Sequence, residues 1–136
     1  MKTVISVRIM RINLASLLVG IFVWTVGILP ASATDVWVDH WDYENVDVYV
    51  MDDTISYGMR STGHWFKVST KLVQGGQLQQ VVDWEFSKYK SDMWHYETNT
   101  MDGTHTTVVL VHNGVFEYSM KQIGWSYYIR NGWYYY

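Results

Sequence analysis

Residues 64–86, HWFKVSTKLVQGGQLQQVVDWEF, have the pattern of a β-hairpin. Residues 64–72 alternate between apolar and polar side chains, the two-residue period of a strand with one buried face. The pair Gly75-Gly76 follows and can adopt the positive φ angles that a tight hairpin turn requires. Residues 82–86 then repeat the alternation with Val82, Trp84 and Phe86. The sequence therefore predicts two antiparallel strands that share one apolar face.

The same period extends to both sides of this hairpin. Short alternating or β-branched runs occupy residues 35–41, 46–51, 93–98, 104–112, 115–120, 125–129 and 133–136. Asn113-Gly114 is a typical type I′ turn pair and predicts a hairpin with residues 115–120 as the returning strand. Residues 52–61 leave room for one short helical turn. We expect an all-β domain of seven or eight strands, built as a single antiparallel sheet, a sandwich or a partly open barrel.

The first 33 residues have the composition of an export signal. Lys2, Arg8 and Arg11 precede an apolar run over residues 12–29, and Pro30 is followed by the small residues of 31–33. This order of segments is typical of a secretory signal peptide. We expect cleavage after Ala33, which leaves residues 34–136 as one β-rich extracytoplasmic domain that is not inserted in the membrane. Retention of the apolar run as an uncleaved anchor is the alternative.

Charge and cysteine content narrow the classes of function. Residues 34–136 hold thirteen acidic and seven basic residues, a net charge of −6, and the chain has no cysteine. The acidic balance disfavours nucleic acid as a partner. The lack of cysteine excludes disulfides, a thiolate nucleophile and cysteine zinc ligands.

The sequence contains no clear catalytic or metal motif. The five histidines lack ligand spacing and no serine occupies a nucleophile motif, so we expect no catalytic residue, no metal site and no cofactor. Asp83 and Glu85 lie on one predicted strand face, which keeps an envelope-polymer hydrolase as the alternative function. Oxygen-rich stretches such as Asp35 with Asp39, or Asp52-Asp53, keep calcium binding open. The lack of a clear catalytic motif favours a function without catalysis. The sequence alone does not decide whether the chain is an enzyme.

Aromatic residues are the strongest remaining signal. Seven Trp, eleven Tyr and three Phe lie in residues 34–136. We expect Phe66, Trp84, Phe86 and Trp94 in the core. Strict alternation over residues 35–41 places Trp37 and Trp41 on one face with Asp35 and Asp39. The predicted binding residues are Trp37, Asp39, Trp41, Tyr43, Tyr49 and Trp65.

Four segments resemble known exported proteins. They are residues 48–55 (VYVMDDTI), 65–68 (WFKV), 84–86 (WEF) and 94–96 (WHY). They are similar to small exported bacterial proteins of unassigned function and, more loosely, to the surface-adhesin E family. In that family a strand and turn of the YxDxxSI type follow the signal peptide, and antiparallel strands come next. Members of that family often contain cysteines, which this chain lacks.

The resemblance covers the middle half of residues 34–136, and it implies an extracytoplasmic β-rich binding module without naming a ligand or a catalytic residue. Together with the exposed aromatics and the acidic balance, it leads us to expect a secreted or envelope-associated module. Its expected partner is a protein or a glycan.

Overall fold

The computed structural model describes residues 34–88 and 92–136, so the predicted export signal lies outside the described residues. The described residues form eight strands and one helix. In chain order these are β1 (Asp35–Trp41), β2 (Val46–Arg60), β3 (Gly63–Gln74), β4 (Gln77–Ser87), β5 (His95–Thr98), β6 (Thr107–Val108), α1 (Gly114–Ile123), β7 (Tyr128–Arg130) and β8 (Trp133–Tyr135). The fold is mostly β, as the sequence predicts.

Strands β1 to β6 form one curled antiparallel sheet in which spatial order follows chain order. Each strand pairs with the next along the chain, the simplest outcome of short connections. The predicted hairpin is β3–β4, in which Phe66 lies opposite Phe86 and Gln74 lies opposite Gln77 across the Gly75-Gly76 turn. The sheet is therefore a partly open barrel, with β1 and β6 as its two edges.

The core lies on the inner face of this sheet. Phe66 and Phe86 stack with ring centroids 4.7 Å apart, and Phe116 of α1 packs against both. All four tryptophan and phenylalanine side chains predicted for the core are buried, namely Phe66, Trp84, Phe86 and Trp94. The Trp84 indole N–H donates to the buried Thr70 hydroxyl over 3.0 Å, which satisfies the one polar atom of that ring.

Helix α1 replaces the returning strand predicted for residues 115–120. Asn113 is its N-cap: the Asn113 side-chain oxygen accepts a hydrogen bond from the Phe116 backbone N–H over 2.9 Å. Gly124 ends the helix in the left-handed conformation at φ +83°. The hairpin prediction was wrong because an Asn-Gly pair suits a helix start as well as a turn.

Two further segments differ from the prediction. Residues 52–61 do not form a helical turn, because β2 runs through to Arg60 with a register shift between Met51 and Ser56. Thr54 bridges that irregularity, since its hydroxyl donates to Met51 O and accepts from Ser69 N. Of residues 104–112, only Thr107 and Val108 belong to a strand.

Strand β1 contains a β-bulge that reverses its side-chain alternation. Trp37 lies opposite Tyr49, whereas Asp39 lies opposite Val48, so Val38 is one extra residue. Before the bulge Trp37 points to the outer face; after it Trp41 points inward and packs edge-on against Trp84 at 6.2 Å. The expectation that Trp37 and Trp41 share a face was therefore wrong.

Candidate ligand-binding groove

A groove of about 760 Å³ lies where the two edges of the curled sheet approach each other. Its walls come from the end of β1, the β1–β2 turn, β5, β6, β8 and the N-cap of α1. This volume falls within the range of small-ligand sites, roughly 300–1,000 Å³. We call it the aromatic groove because five aromatic side chains line it: Trp41, Tyr43, Trp84, Tyr96 and Trp133.

The aromatic side chains of the groove differ in burial. Trp84 belongs to the core and is 6% exposed, while Tyr43 in the β1–β2 turn is 98% exposed. Trp41, Tyr96 and Trp133 are half-buried, and Leu110 adds an apolar side chain that is 62% exposed. The groove therefore offers a hydrophobic lining that the rest of the described chain does not cover.

Two carboxylates stand at the rim of the groove beside Tyr43. Asp42 and Glu44 lie in the same exposed β1–β2 turn. The His40 ring atom Nε2 lies 3.8 Å from the Asp42 carboxylate. No Lys or Arg is among the described residues that line the groove. The rim is therefore negative, and the walls below it are apolar.

The floor of the groove is held by the start of helix α1. Asn113 lines the groove, and its backbone N–H donates to the Tyr134 hydroxyl over 2.9 Å. Burial raises the pKa of Tyr134 well above its usual value, although the hydrogen bond from the Asn113 N–H acts in the opposite direction, so this hydroxyl remains protonated. The neutral Tyr134 therefore ties the N-cap, and with it the groove floor, to β8.

The structure divides five of the six predicted binding residues between two places. Trp41 and Tyr43 line the aromatic groove. Trp37, Tyr49 and Trp65 lie on the opposite, outer face of the sheet, where Tyr49 is placed between Trp37 on β1 and Lys71 on β3.

Asp39 belongs to neither group. It is half-buried at the bulge, its carboxylate accepts from the His40 N–H over 2.8 Å, and its Cβ lies close to Gly114.

On the outer face, aromatic and charged side chains bind one another. The Trp37 indole N–H donates to Asp47 over 3.0 Å, and His40 Nδ1 lies 3.0 Å from the same oxygen. These two contacts lower the pKa of Asp47, the indole hydrogen bond most of all. The arrangement keeps Trp37 in place although 54% of it is exposed.

Basic residues of the outer face are paired in the same way. Arg60 lies over the Trp65 ring with Cζ 4.8 Å from the centroid, and it also binds Glu85. Lys71 binds Asp35 over 2.6 Å. These aromatic and basic side chains of the outer face therefore have their hydrogen-bond and charge partners within the described residues.

The alternative catalytic pair, Asp83 and Glu85, also lies on the outer face. The two residues share a side of β4, as expected, and Glu97 on β5 stands directly opposite Glu85. Asp83 accepts from the Ser69 hydroxyl over 2.6 Å, while Glu85 binds Arg60 and lies 3.8 Å from Lys67. Both carboxylates are members of a surface network of ion pairs and hydrogen bonds.

Sequence reasoning missed most of the groove. Trp84 was assigned to the core alone, and Tyr96, Leu110 and Trp133 were not considered as binding residues. They come from β4, β5, the segment after β6, and β8, which are far apart along the chain. A signal was nonetheless present: Trp133 directly follows the Asn131-Gly132 turn, and Leu110 is a large apolar residue three positions before Asn113.

Within residues 34–88 and 92–136, no group of three or more His, Asp or Glu side chains is arranged to hold a metal ion. Asp35 and Asp39 lie on either side of the bulge and do not converge. In the same residues, no helix is both long and apolar enough to cross a membrane.

The chain was compared with protein-family models, with curated proteins and with solved structures, and none of them matches it.

Proposed function

We propose that this chain is an exported binding module, without catalytic activity, whose ligand occupies the aromatic groove. The observation that carries the proposal is the groove itself: five aromatic side chains around a volume of about 760 Å³, with two carboxylates at the rim. Ligand sites are typically concave, mostly apolar and supplied with a few polar groups. The aromatic groove has each of these properties.

The accessibility of the groove rings favours a role in ligand binding over a role in core packing. A soluble domain rarely leaves a contiguous apolar patch uncovered unless that patch meets a partner. Aromatic residues that are rigid, large and accessible provide much of the binding energy in known interfaces. Tyr43 is almost completely exposed and Trp133 half-buried, so both can contact a ligand without first leaving the core.

The compartment follows from the sequence and is part of the proposal. Residues 1–33 have the order of segments of a secretory signal, and the loose resemblance to the surface-adhesin E family points the same way. We place the module outside the cytoplasm, secreted or associated with the cell envelope. There its partner is a protein or a glycan of that compartment.

A pair of double variants tests the groove as the binding site. Tyr43→Ala with Trp133→Ala removes two rings of the groove, and Tyr57→Ala with Trp37→Ala removes the same two residue types elsewhere on the surface. Retention on cell-envelope material should fall about tenfold or more for the first variant. The control variant should be retained like the unchanged chain.

Equal retention of both variants, with circular dichroism showing that both are folded, would reject the groove. Clearing of envelope polymers by the unchanged chain in zymograms, lost on Asp83→Asn with Glu85→Gln, would instead establish the hydrolase.

A further inference from the structure

We infer that the aromatic groove binds a basic segment of a partner protein, with lysine or arginine side chains placed against the groove rings and between the rim carboxylates. This inference rests on the proposed function and narrows its ligand from protein or glycan to a cationic polypeptide.

Outside the groove, this chain repeatedly places a cation over an aromatic ring. Arg60 covers Trp65 at 4.8 Å, Lys88 Nζ lies 3.9 Å from the Tyr136 centroid, and Arg130 Cζ lies 4.7 Å from that of Tyr135. A cation is attracted to the face of an aromatic ring, and the attraction becomes stronger when water is excluded from the contact. Among the described residues, no cation covers any of the five groove rings.

The distribution of charge agrees with the absence, among the described residues, of a cation over the groove rings. Residues 34–136 carry a net charge of −6, and the cations of the outer face are already paired with acids. Asp42 and Glu44 therefore impose a negative potential on the groove that no lining Lys or Arg offsets. Such a field attracts a positive ligand from a distance and repels an anionic one.

The apolar part of the groove suits the aliphatic stem of a basic side chain. Lysine and arginine bury their methylene groups along apolar surface while the charged end stays at the polar edge. Leu110 and Val108 offer that surface, and the carboxylates of Asp42 and Glu44 stand at the rim. A volume of about 760 Å³ also exceeds the needs of one small ammonium ion and suits several residues of an extended segment.

The test uses the protein expressed from the full sequence and three probes. The first is an acetylated and amidated octapeptide of alternating Gly and Lys, the second has Glu in place of Lys, and the third is chitohexaose. Nuclear magnetic resonance of the tryptophan indole N–H groups reports where each probe binds. The lysine peptide should shift the signals of Trp41 and Trp133 and leave that of Trp37 unchanged, and the glutamate peptide should shift none.

Two charge variants separate specific contact from general attraction. Asp42→Asn with Glu44→Gln should weaken binding of the lysine peptide about three- to tenfold, from two lost charge contacts. Asp53→Asn with Glu97→Gln changes the net charge equally at acids outside the groove and should weaken binding less than about twofold. Equal losses in the two variants would overturn the inference, since they would show non-specific attraction to an acidic protein.

The probes also separate this inference from the proposed function. Groove signals that move with chitohexaose but not with the lysine peptide would overturn the basic-segment inference and support a groove for glycans. Groove signals that move with neither, while envelope retention still depends on Tyr43 and Trp133, would likewise reject a basic ligand and leave the binding module standing.

Discussion

The outer face of the sheet and the aromatic groove contain the same kinds of residue but use them differently. On the outer face, Trp37 is bound by Asp47 and Trp65 is covered by Arg60. In the groove, Tyr43 is almost fully exposed, and its neighbour Glu44 makes no ion pair with the described residues. Exposure alone therefore does not mark a site in this chain. The informative feature is an aromatic or charged group for which the described residues supply no partner.

The first prediction compares alanine substitutions at two neighbouring residues of β3, one on the inner face of the sheet and one on the outer face. Phe66→Ala should lower the free energy of unfolding by about 3–5 kcal/mol, because it leaves a cavity in the inner-face core. Trp65→Ala, one residue away on the outer face, should cost only about 1 kcal/mol through lost contact with Arg60. Urea unfolding followed by circular dichroism measures both, and equal losses would contradict the assignment of faces.

The second prediction tests what holds Trp37 and Trp41 on different faces. Gly114 begins helix α1, and a Cβ at that position would clash with the carbonyl oxygen of Val38 in the bulge. Gly114→Ala should therefore lower the free energy of unfolding by about 1–3 kcal/mol, although alanine is the better helix former. Gln122→Ala, on the exposed side of the same helix, should change it by less than about 0.5 kcal/mol.

A stable Gly114→Ala protein with the indole signals of Trp37 and Trp41 unchanged would show that the close approach of α1 does not fix the bulge.

The third prediction has the smallest expected effect on stability. It tests whether the outer-face hydrogen bonds to Asp47 stabilise the fold. Hydrogen bonds from Trp37 and then His40 lower the pKa of Asp47 from its ordinary value of 3.8. Because the folded pKa is depressed, the contribution to stability is present above pH 3.8 and is lost as pH falls through the folded value. Asp47→Asn should therefore reduce the loss of stability below that pH, measured as the thermal midpoint across an acid series. Asp53→Asn is the matched control, and an equal change of the acid dependence in both variants would contradict the role of the Trp37 and His40 hydrogen bonds.

The fold was largely predictable because its central hairpin combines strict alternation with a Gly-Gly turn. The helix was not, since Asn113-Gly114 suits two structures and the buried stripe of α1 includes the polar Ser119. A stripe of Val115, Phe116, Ser119 and Met120 has the helical period once Ser119 is accepted as buried. Local sequence offered no means to decide that.

The candidate site was predictable only in part, for two physical reasons. Tyr43 and Trp41 were identified because they stand beside acids at the end of an alternating run. Tyr96 and Trp133 join them only through the curl of the sheet and the placement of β8, and neither contact leaves a local pattern. The bulge at Val38 could not be recognised in the sequence either. One inserted residue changes the face of every later side chain of the strand without altering its composition.

The bulge also determines which changes of length this surface can accept during evolution. Deleting Val38 would leave Trp37 and Trp41 three residues apart in a regular strand, so they would still lie on opposite faces of β1 and opposite the same residues of β2. The loss of this one residue would therefore keep one tryptophan in solvent and the other in the groove. In related chains, a β1 that is one residue shorter at this position would thus be compatible with the same ligand preference, and the identity of the residue at Trp41 would be the better guide to a changed one.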